Sequence, residues 1–283
     1  MGQWMVRMGE SMLKSKPVRK HFTRVLRNTL IAQCHIRNAE VSIRTEGGLM
    51  FVSGEDDDAI VDALKHTFGV NAVDPFTEVP PTPEDVATAA LELNPNPEGS
   101  FAVRCKRHGH KGEWTSQSFA GATGAAVLDK VELNVNLSKP DWKIRVALFP
   151  DKARLLGTRF MGPGGLPSGV QGLVMAHMNS DEDVLCAWLM MHRGCRIQAE
   201  EKGAEKLKAW DPALVSQEYA EKLVTGPGRE KNPTPWGIVG HRLSNAPTTV
   251  DDDVSIRTPL VHLEPLVGWS EQDIEGLKIR VFG

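Results

Sequence analysis

The sequence has no stretch approaching the roughly 20 apolar residues that a membrane helix needs. Its N-terminus carries no apolar core of the kind that marks a secretory signal. Together these absences predict a cytoplasmic protein with no membrane partner. A CxxC pair is missing as well. Cys34, Cys105, Cys186 and Cys195 stand far apart, which excludes the spacing of a structural zinc site. A disulfide framework is not expected in a cytoplasmic chain of 283 residues, so the four thiols read as packing residues. No internal repeat is present. With 41% hydrophobic and 24% charged residues the composition is that of a globular protein, and the length asks for two domains or three small ones.

Acids are locally scarce. Residues 1–37 hold eight Lys or Arg and a single acid, Glu10. Residues 1–165 carry 21 basic against 19 acidic residues, a balance of +2, and residues 166–283 carry 12 against 17, a balance of −5; the sum is the chain's −3. After Pro17, Val18, Phe22, Val25, Leu26 and Leu30 recur at helical spacing. That period gathers Lys20, Arg24 and Arg27 on the opposite face, with no acid among them. A solvated helix face is the plain explanation, but such faces usually mix signs. A one-sign face is what phosphate contact requires. Lys14, Lys16 and Arg19 extend it. The segment 101–111 repeats the pattern with Arg104, Lys106, Arg107 and Lys111 and no acid. His108 and His110 between them fit RNA backbone contact better than catalysis. Trp114 is open between stacking on a base and filling a core.

The remaining pattern alternates strands and helices. Val41–Thr45 and Leu49–Ser53 read as a hairpin turning at Glu46-Gly47-Gly48. Asp56, Asp57 and Asp58 open a helix, where acids complement the dipole. Val70–Val73 predicts a further strand, giving a small split βαβ unit. The prolines of Pro75–Pro83 and Asn94-Pro95-Asn96-Pro97 mark turns or boundaries. Strand Phe101–Lys106, helix Ser116–Asp129, and strands Trp142–Phe149 and Arg154–Phe160 follow, the last two joined at Pro150-Asp151. Leu173–Met178, Asp181–His192 and Cys195–Ala199 predict a strand–helix–strand unit with parallel strands, its helix closed by Gly194. The Asp251–Asp253 run reads as a solvated loop.

The loop entering that last helix lies where an α/β sheet binds ligands, at the carboxyl end of a strand. A phosphate loop needs glycines, so that backbone N–H groups can approach, and few carboxylates. This loop is Met178-Asn179-Ser180-Asp181-Glu182-Asp183, with no glycine and three acids. It reads as a poor ATP site. His177 with Asp181 and Asp183 has no recognised metal spacing, so no metal is expected.

The run Gly162-Pro163-Gly164-Gly165-Leu166-Pro167-Ser168-Gly169-Val170-Gln171-Gly172, and Met190-Met191-His192-Arg193-Gly194 further on, resemble the tRNA 4-thiouridine synthases, whose THUMP domain is joined to a PP-loop domain by such a stretch. Val6 to Glu10 with Leu13 to Lys16 and Arg19 resembles that family's opening strand and basic turn. Phe101 to Arg107 resembles a THUMP strand, and Lys139-Pro140-Asp141 the turn before a later one. Leu223-Val224-Thr225-Gly226 resembles the LVTGE strand end, and Arg257-Thr258-Pro259-Leu260 or Glu264-Pro265-Leu266 the late RPL element. The resemblance implies an α+β protein with a ferredoxin-like domain over 1–75, a THUMP domain over 76–165 and a shortened Rossmann-like, PP-loop-type α/β domain over 166–283. It implies tRNA as partner, with THUMP holding the acceptor end. In the family's SGGxDS loop, Met178 stands for the Ser, Asn179 and Ser180 for the glycines, Glu182 for the Asp and Asp183 for the last Ser. The spacing to Leu223 is short, and the chain ends before the family's sulfur-receiving cysteine; Cys186 and Cys195 read as packing residues instead. Gly162–Gly169 precedes its strand, so it reads as an interdomain hinge or linker and not a nucleotide cradle. The expectation is therefore a tRNA-binding adaptor with no cofactor and no catalytic residues of its own, whose last domain meets a separate modification enzyme or a second copy. The alternative is a divergent sulfurtransferase using ATP with Mg.

Overall fold

A computed structural model of the chain describes residues 1–9, 13–109, 112–199, 201–223, 234–243, 249–250 and 258–283. The first unit runs β1 (Gly2–Met8), α1 (Lys16–His35), β2 (Val41–Glu46), β3 (Leu49–Gly54), α2 (Asp57–Lys65) and β4 (Val70–Val79). Its strands lie in the order β2-β3-β1-β4, all antiparallel, with both helices on one face. This is the ferredoxin-like arrangement expected from the alternation of elements. The spacing of Phe22, Val25, Leu26 and Leu30 buries one face of α1. Asp56 caps α2 by accepting from the Ala59 N–H at 3.0 Å.

The second unit comprises α3 (Pro83–Leu93), β5 (Ser100–Arg107), α4 (Ser116–Leu128), β6 (Asn134–Val135), β7 (Trp142–Leu148) and β8 (Ala153–Leu156). Its strands continue the first sheet through β4, in the order β4-β8-β7-β5-β6. Strand β4 is therefore longer than the Val70–Val73 that the sequence predicts, and it crosses the expected boundary at residue 75. Pro75, which lacks an N–H, is the last β4 residue paired with β1; from Phe76 the strand pairs with β8. The strand expected over Arg154–Phe160 is likewise divided. β8 ends at Leu156, the Gly157 N–H donates to the Pro75 carbonyl at 2.8 Å, and β9 (Phe160–Met161) pairs back with β4.

Ion pairs fill the seam between the two units. Asp74 is fully buried and accepts from Arg7 of β1 at 3.0 Å, Arg145 of β7 at 2.5 Å and Arg159 at 2.8 Å. Burial pushes its carboxyl up, but the three guanidiniums outweigh that and hold it at about 2. Arg154 of β8, in register with Glu78 further along β4, is also fully buried and lies 3.9 Å above the Phe51 ring and 4.3 Å above that of Phe149.

The third unit begins with β10 (Leu173–Ala176), α5 (Asp181–His192) and β11 (Arg196–Gln198), the expected βαβ unit. Short helices α6 (Glu201–Ala204) and α7 (Gln217–Lys222), strand β12 (Gly237–Val239), a ribbon of β13 (Thr249–Val250) with β14 (Thr258–Pro259), strand β15 (Val261–Leu263) and helix α8 (Glu271–Phe282) complete it. The sheet is parallel in the order β11-β10-β12-β15. Val224-Thr225-Gly226, Asp251–Asp253 and Arg257 lie outside the described residues. The Gly162–Gly172 run joins the units as a linker bonded at both ends. Gly162 and Gly164 donate to Asn71 and Val70, while Leu166, Gly169 and Gln171 donate to His192 and Gly194. Gly165 is required there: at φ 71°, an added Cβ would lie 2.2 Å from the His192 carbonyl oxygen. Phe68, from the loop before β4, inserts into the third core, 5.3 Å from Trp188 and 5.4 Å from Trp210.

Candidate nucleic-acid interface and the loop after β10

The amphipathic period of α1 leaves Lys16, Lys20, Arg24 and Arg27 exposed and Arg19 partly so; Lys14 is exposed just before the helix. With the Glu46-Gly47-Gly48 turn these side chains, Lys14 apart, line a groove of about 740 Å³ floored by Met8 and Leu49. On β5, Arg104 and Lys106 are exposed and Arg107 is half-buried. Arg104 donates to the Leu137 carbonyl, and Arg107 donates to that of Trp114 at 3.1 Å. Among the described residues no carboxylate stands within 4 Å of any of these nine cations, whereas Arg7, Arg37, Arg44, Arg145, Arg154 and Arg159 of the same two units are all paired. Glu46 connects the two basic segments. It lines the α1 groove, lies 3.8 Å from Arg154, and acts electrostatically on His108 at the end of β5, as Lys106 also does.

Of the residues read as contacts or left open, two pack against the core. His108 is half-buried and stacks on Phe149 at 5.0 Å. Burial, then Lys106, Arg7 and Arg154, push it down to about 4, so it carries no charge at neutral pH. Trp114 packs edge-on against Phe119 at 5.6 Å, on the core side of its two readings. His110 and Lys111 lie outside the described residues. Runs of charge in the sequence do not single out Lys143. It is exposed, pairs in register with Ala102 and stands diagonal to Arg104 on the same sheet face. The alternation Trp142-Lys143-Ile144-Arg145 was the signal for it.

The loop 177–180 sits at the carboxyl end of β10, beside β12. Here chain order reverses in the sheet, the usual place for a ligand in an open α/β fold. Its donors are already engaged. Asp183 is 5% exposed, and its Oδ2 accepts from the Asn179 N–H at 3.1 Å, the Ser180 N–H at 3.0 Å and the Ser180 hydroxyl at 2.9 Å. Its Oδ1 accepts from the His241 N–H at 2.7 Å. Ser180 caps the helix in return, accepting from the Asp183 N–H at 3.1 Å. Burial raises the Asp183 carboxyl, but these bonds outweigh it and hold the group below the ordinary range. Asp181 pairs with Lys206 at 2.5 Å and Glu182 with Lys278 at 3.0 Å. The His177 Nε2 bonds the Asn179 amide at 2.8 Å, so His177, Asp181 and Asp183 do not converge. Met178 is half-buried against the third core. A cavity of about 710 Å³ opens beyond Asp183, towards Glu271, Glu275 and Lys278. Cys34, Cys186 and Cys195 are buried and Cys105 partly so, and burial pushes every one of these thiols up to about 11 or 12. No described helix is long and apolar enough to cross a membrane.

A ferredoxin-like unit whose sheet continues into a second α/β unit, followed by a parallel α/β unit, makes the chain a three-unit α+β protein. Residues 3–73 match the ThiI ferredoxin-like domain and residues 84–156 the THUMP domain. The chain is 31% identical over 203 residues to a probable tRNA sulfurtransferase of Methanocaldococcus jannaschii, covering 68% of this chain and 53% of that one. It is 34% identical over 202 residues to a probable tRNA sulfurtransferase of Methanosarcina acetivorans, covering 68% and 48%. It thus spans about half the length of these curated relatives. Among solved structures, PH1313 of Pyrococcus horikoshii superposes with a TM-score of 0.76 at 20% identity over 99% of both chains. A 4-thiouridine synthetase solved with RNA and bound ATP superposes with a TM-score of 0.71 at 17% identity, over 99% of this chain and 85% of that one. The chain belongs to the ThiI family of tRNA sulfurtransferase relatives.

Proposed function

We propose that the protein binds tRNA on the joint face of its ferredoxin-like and THUMP domains and serves as an adaptor in tRNA modification, without ATP-dependent thiolation of its own. The observation that carries the proposal is the set of nine cations on α1 and β5 with no carboxylate within 4 Å among the described residues. Cations left without a carboxylate partner on two adjoining units of a protein of net charge −3 are suited to phosphates, and lose most of their value once neutralised. The adaptor half of the reading rests on Asp183, whose carboxylate takes the backbone donors that a nucleotide phosphate would need. In this reading the third domain is a scaffold for a separate modification enzyme or a second copy, and Met178 to Asp183 form a nucleotide loop emptied of its function.

The competing reading is a divergent tRNA sulfurtransferase that adenylates uridine with ATP and Mg. The cavity beside Asp183 is what favours it, since space at the switch point of the sheet is retained. Calorimetry with bulk tRNA and with Mg-ATP separates the two. The adaptor reading expects salt-sensitive tRNA binding and no Mg-ATP heat. Tight Mg-ATP binding that disappears in Glu182→Gln or Asp183→Asn would overturn it.

A further inference from the structure

The α1 groove has a property that phosphate contact alone does not require. Phosphates on a duplex surface are met by extended cations on a convex or flat face. Here five cations rim a concavity of about 740 Å³, within the range of small-ligand sites. Its floor is apolar: Met8 and Leu49 are 7% and 8% exposed, and Pro17 adds a ring. On the hairpin side, Gly47 and Gly48 at φ 57° and 80° put no side chain over the opening. The acid in the lining, Glu46, is turned to Arg154. One further group is unsatisfied: the Nε2 of His21 is buried with no hydrogen-bond partner among the described residues, the kind of group a ligand completes.

We propose that this groove takes one unstacked nucleotide of the bound RNA, its base against Met8 and Leu49 and its phosphate among Lys16, Lys20 and Arg24. The proposal rests on the tRNA-binding reading and deepens it, assigning to α1 a pocket that tells unpaired from paired RNA. An apolar floor under a cationic rim suits the two halves of a nucleotide, and a base is free to enter only where it has left the stack. Thr23 stands on the groove wall, its hydroxyl 3.6 Å from the Met8 sulfur, so a larger residue there fills the space without changing charge.

The test compares a hairpin RNA carrying an unpaired overhang with the same hairpin made blunt, by fluorescence anisotropy across a salt series. Wild-type protein is expected to prefer the overhang by about tenfold, the scale of removing one base face and two apolar side chains from water. Thr23→Trp should cut that preference to within about twofold, with blunt-hairpin affinity and salt slope kept. A second measurement does not depend on the variant: 5-iodouridine at the unpaired position should crosslink to the peptide containing His21 and Thr23, and at a paired position should not. Equal wild-type affinity for both RNAs, or a crosslink outside α1, overturns the groove assignment while leaving the tRNA-binding reading intact. Loss of all RNA binding strikes that reading instead. Free uridine or adenosine monophosphate is expected to compete only above millimolar concentration; tight binding of either would make the groove a free-nucleotide site and sink the proposal.

Discussion

Arginine is used in two opposite ways within the first two domains. At their seam, Arg7, Arg145 and Arg159 converge on the buried Asp74, and Arg154 is stacked on phenylalanines beside Glu46 and Glu78. On α1 and β5, Arg24, Arg27, Arg104 and Arg107 meet carbonyls, a histidine ring or solvent, and no carboxylate within 4 Å among the described residues. The seam arginines are long side chains spent on fixing one sheet against another. Those on α1 and β5 keep their charge available. The third domain repeats the first strategy with backbone donors: Asp183 neutralises in cis the loop amides that its position in the fold would offer to an anion. What separates the structural positive groups of this chain from those proposed to meet a ligand is whether the protein supplies the counter-charge itself.

The strongest challenge to that contrast is at the seam. Asp74→Asn leaves three cations facing a neutral amide. Breaking a buried ion cluster from one side costs about 3–5 kcal/mol, which urea unfolding would read as a large loss shared by both domains. The pH dependence has a fixed sign. A carboxyl held at about 2 when folded contributes stability that is complete above its ordinary value near 3.8 and is lost as pH falls towards 2. A variant as stable as the wild type would show the seam to be ornamental. Next in size is the open face. Replacing Lys20, Arg24, Arg104 and Arg107 by Ala should weaken tRNA binding by about a hundredfold near 0.1 M salt, and flatten the log–log salt slope by up to about four. It should lower the unfolding midpoint only modestly, because no native ion pair is removed and what is lost are the bonds of Arg104 and Arg107 to the Leu137 and Trp114 carbonyls. An unaltered salt slope would remove α1 and β5 from the interface.

Much of this is legible in the sequence. The α1 period, the Gly47-Gly48 hairpin, the acids that open α2 and the span of α5 are local signals, set by burial on one face, a tight turn or charge at a helix end, and each element lies where the pattern puts it. The poverty of the 178–183 loop was also visible, as missing glycine and excess acid. Its physical reason was not: three acids in a row give no hint that Asp183 alone turns inward while Asp181 and Glu182 pair with lysines from other elements. The full length of β4 was hidden because Pro75 reads as a boundary, whereas the strand only changes partners there. Charge counting placed His108 among the phosphate contacts, and only tertiary packing sets its ring against Phe149.

Smaller effects sharpen the comparison at the third domain. Asp183→Ala frees the Asn179, Ser180 and His241 amides, at a cost of about 2 kcal/mol from lost capping and unsatisfied donors. If the carboxylate stands in for an anion, inorganic phosphate should raise the melting temperature of this variant and not that of the wild type. The same response in both proteins would break the equivalence drawn between Asp183 and a ligand.

The least perturbing change is His108→Phe. The imidazole already behaves as an aromatic plate on Phe149, so removing it should leave tRNA affinity within about twofold at neutral pH, as expected of a group that brings no charge to the phosphates. Its signature is in acid stability. The folded ring titrates at about 4 and the unfolded one near 6.5, so between those values the unfolded chain takes up a proton that the folded chain refuses. Stability is therefore full above pH 6.5 and declines as pH falls towards 4. The phenylalanine variant lacks this decline, and unfolding measured at pH 7 and pH 5 should show wild type losing more than the variant. Parallel losses would mean that His108 is solvated and charged in the folded protein, which would return it to the open face with Lys106 and Arg104.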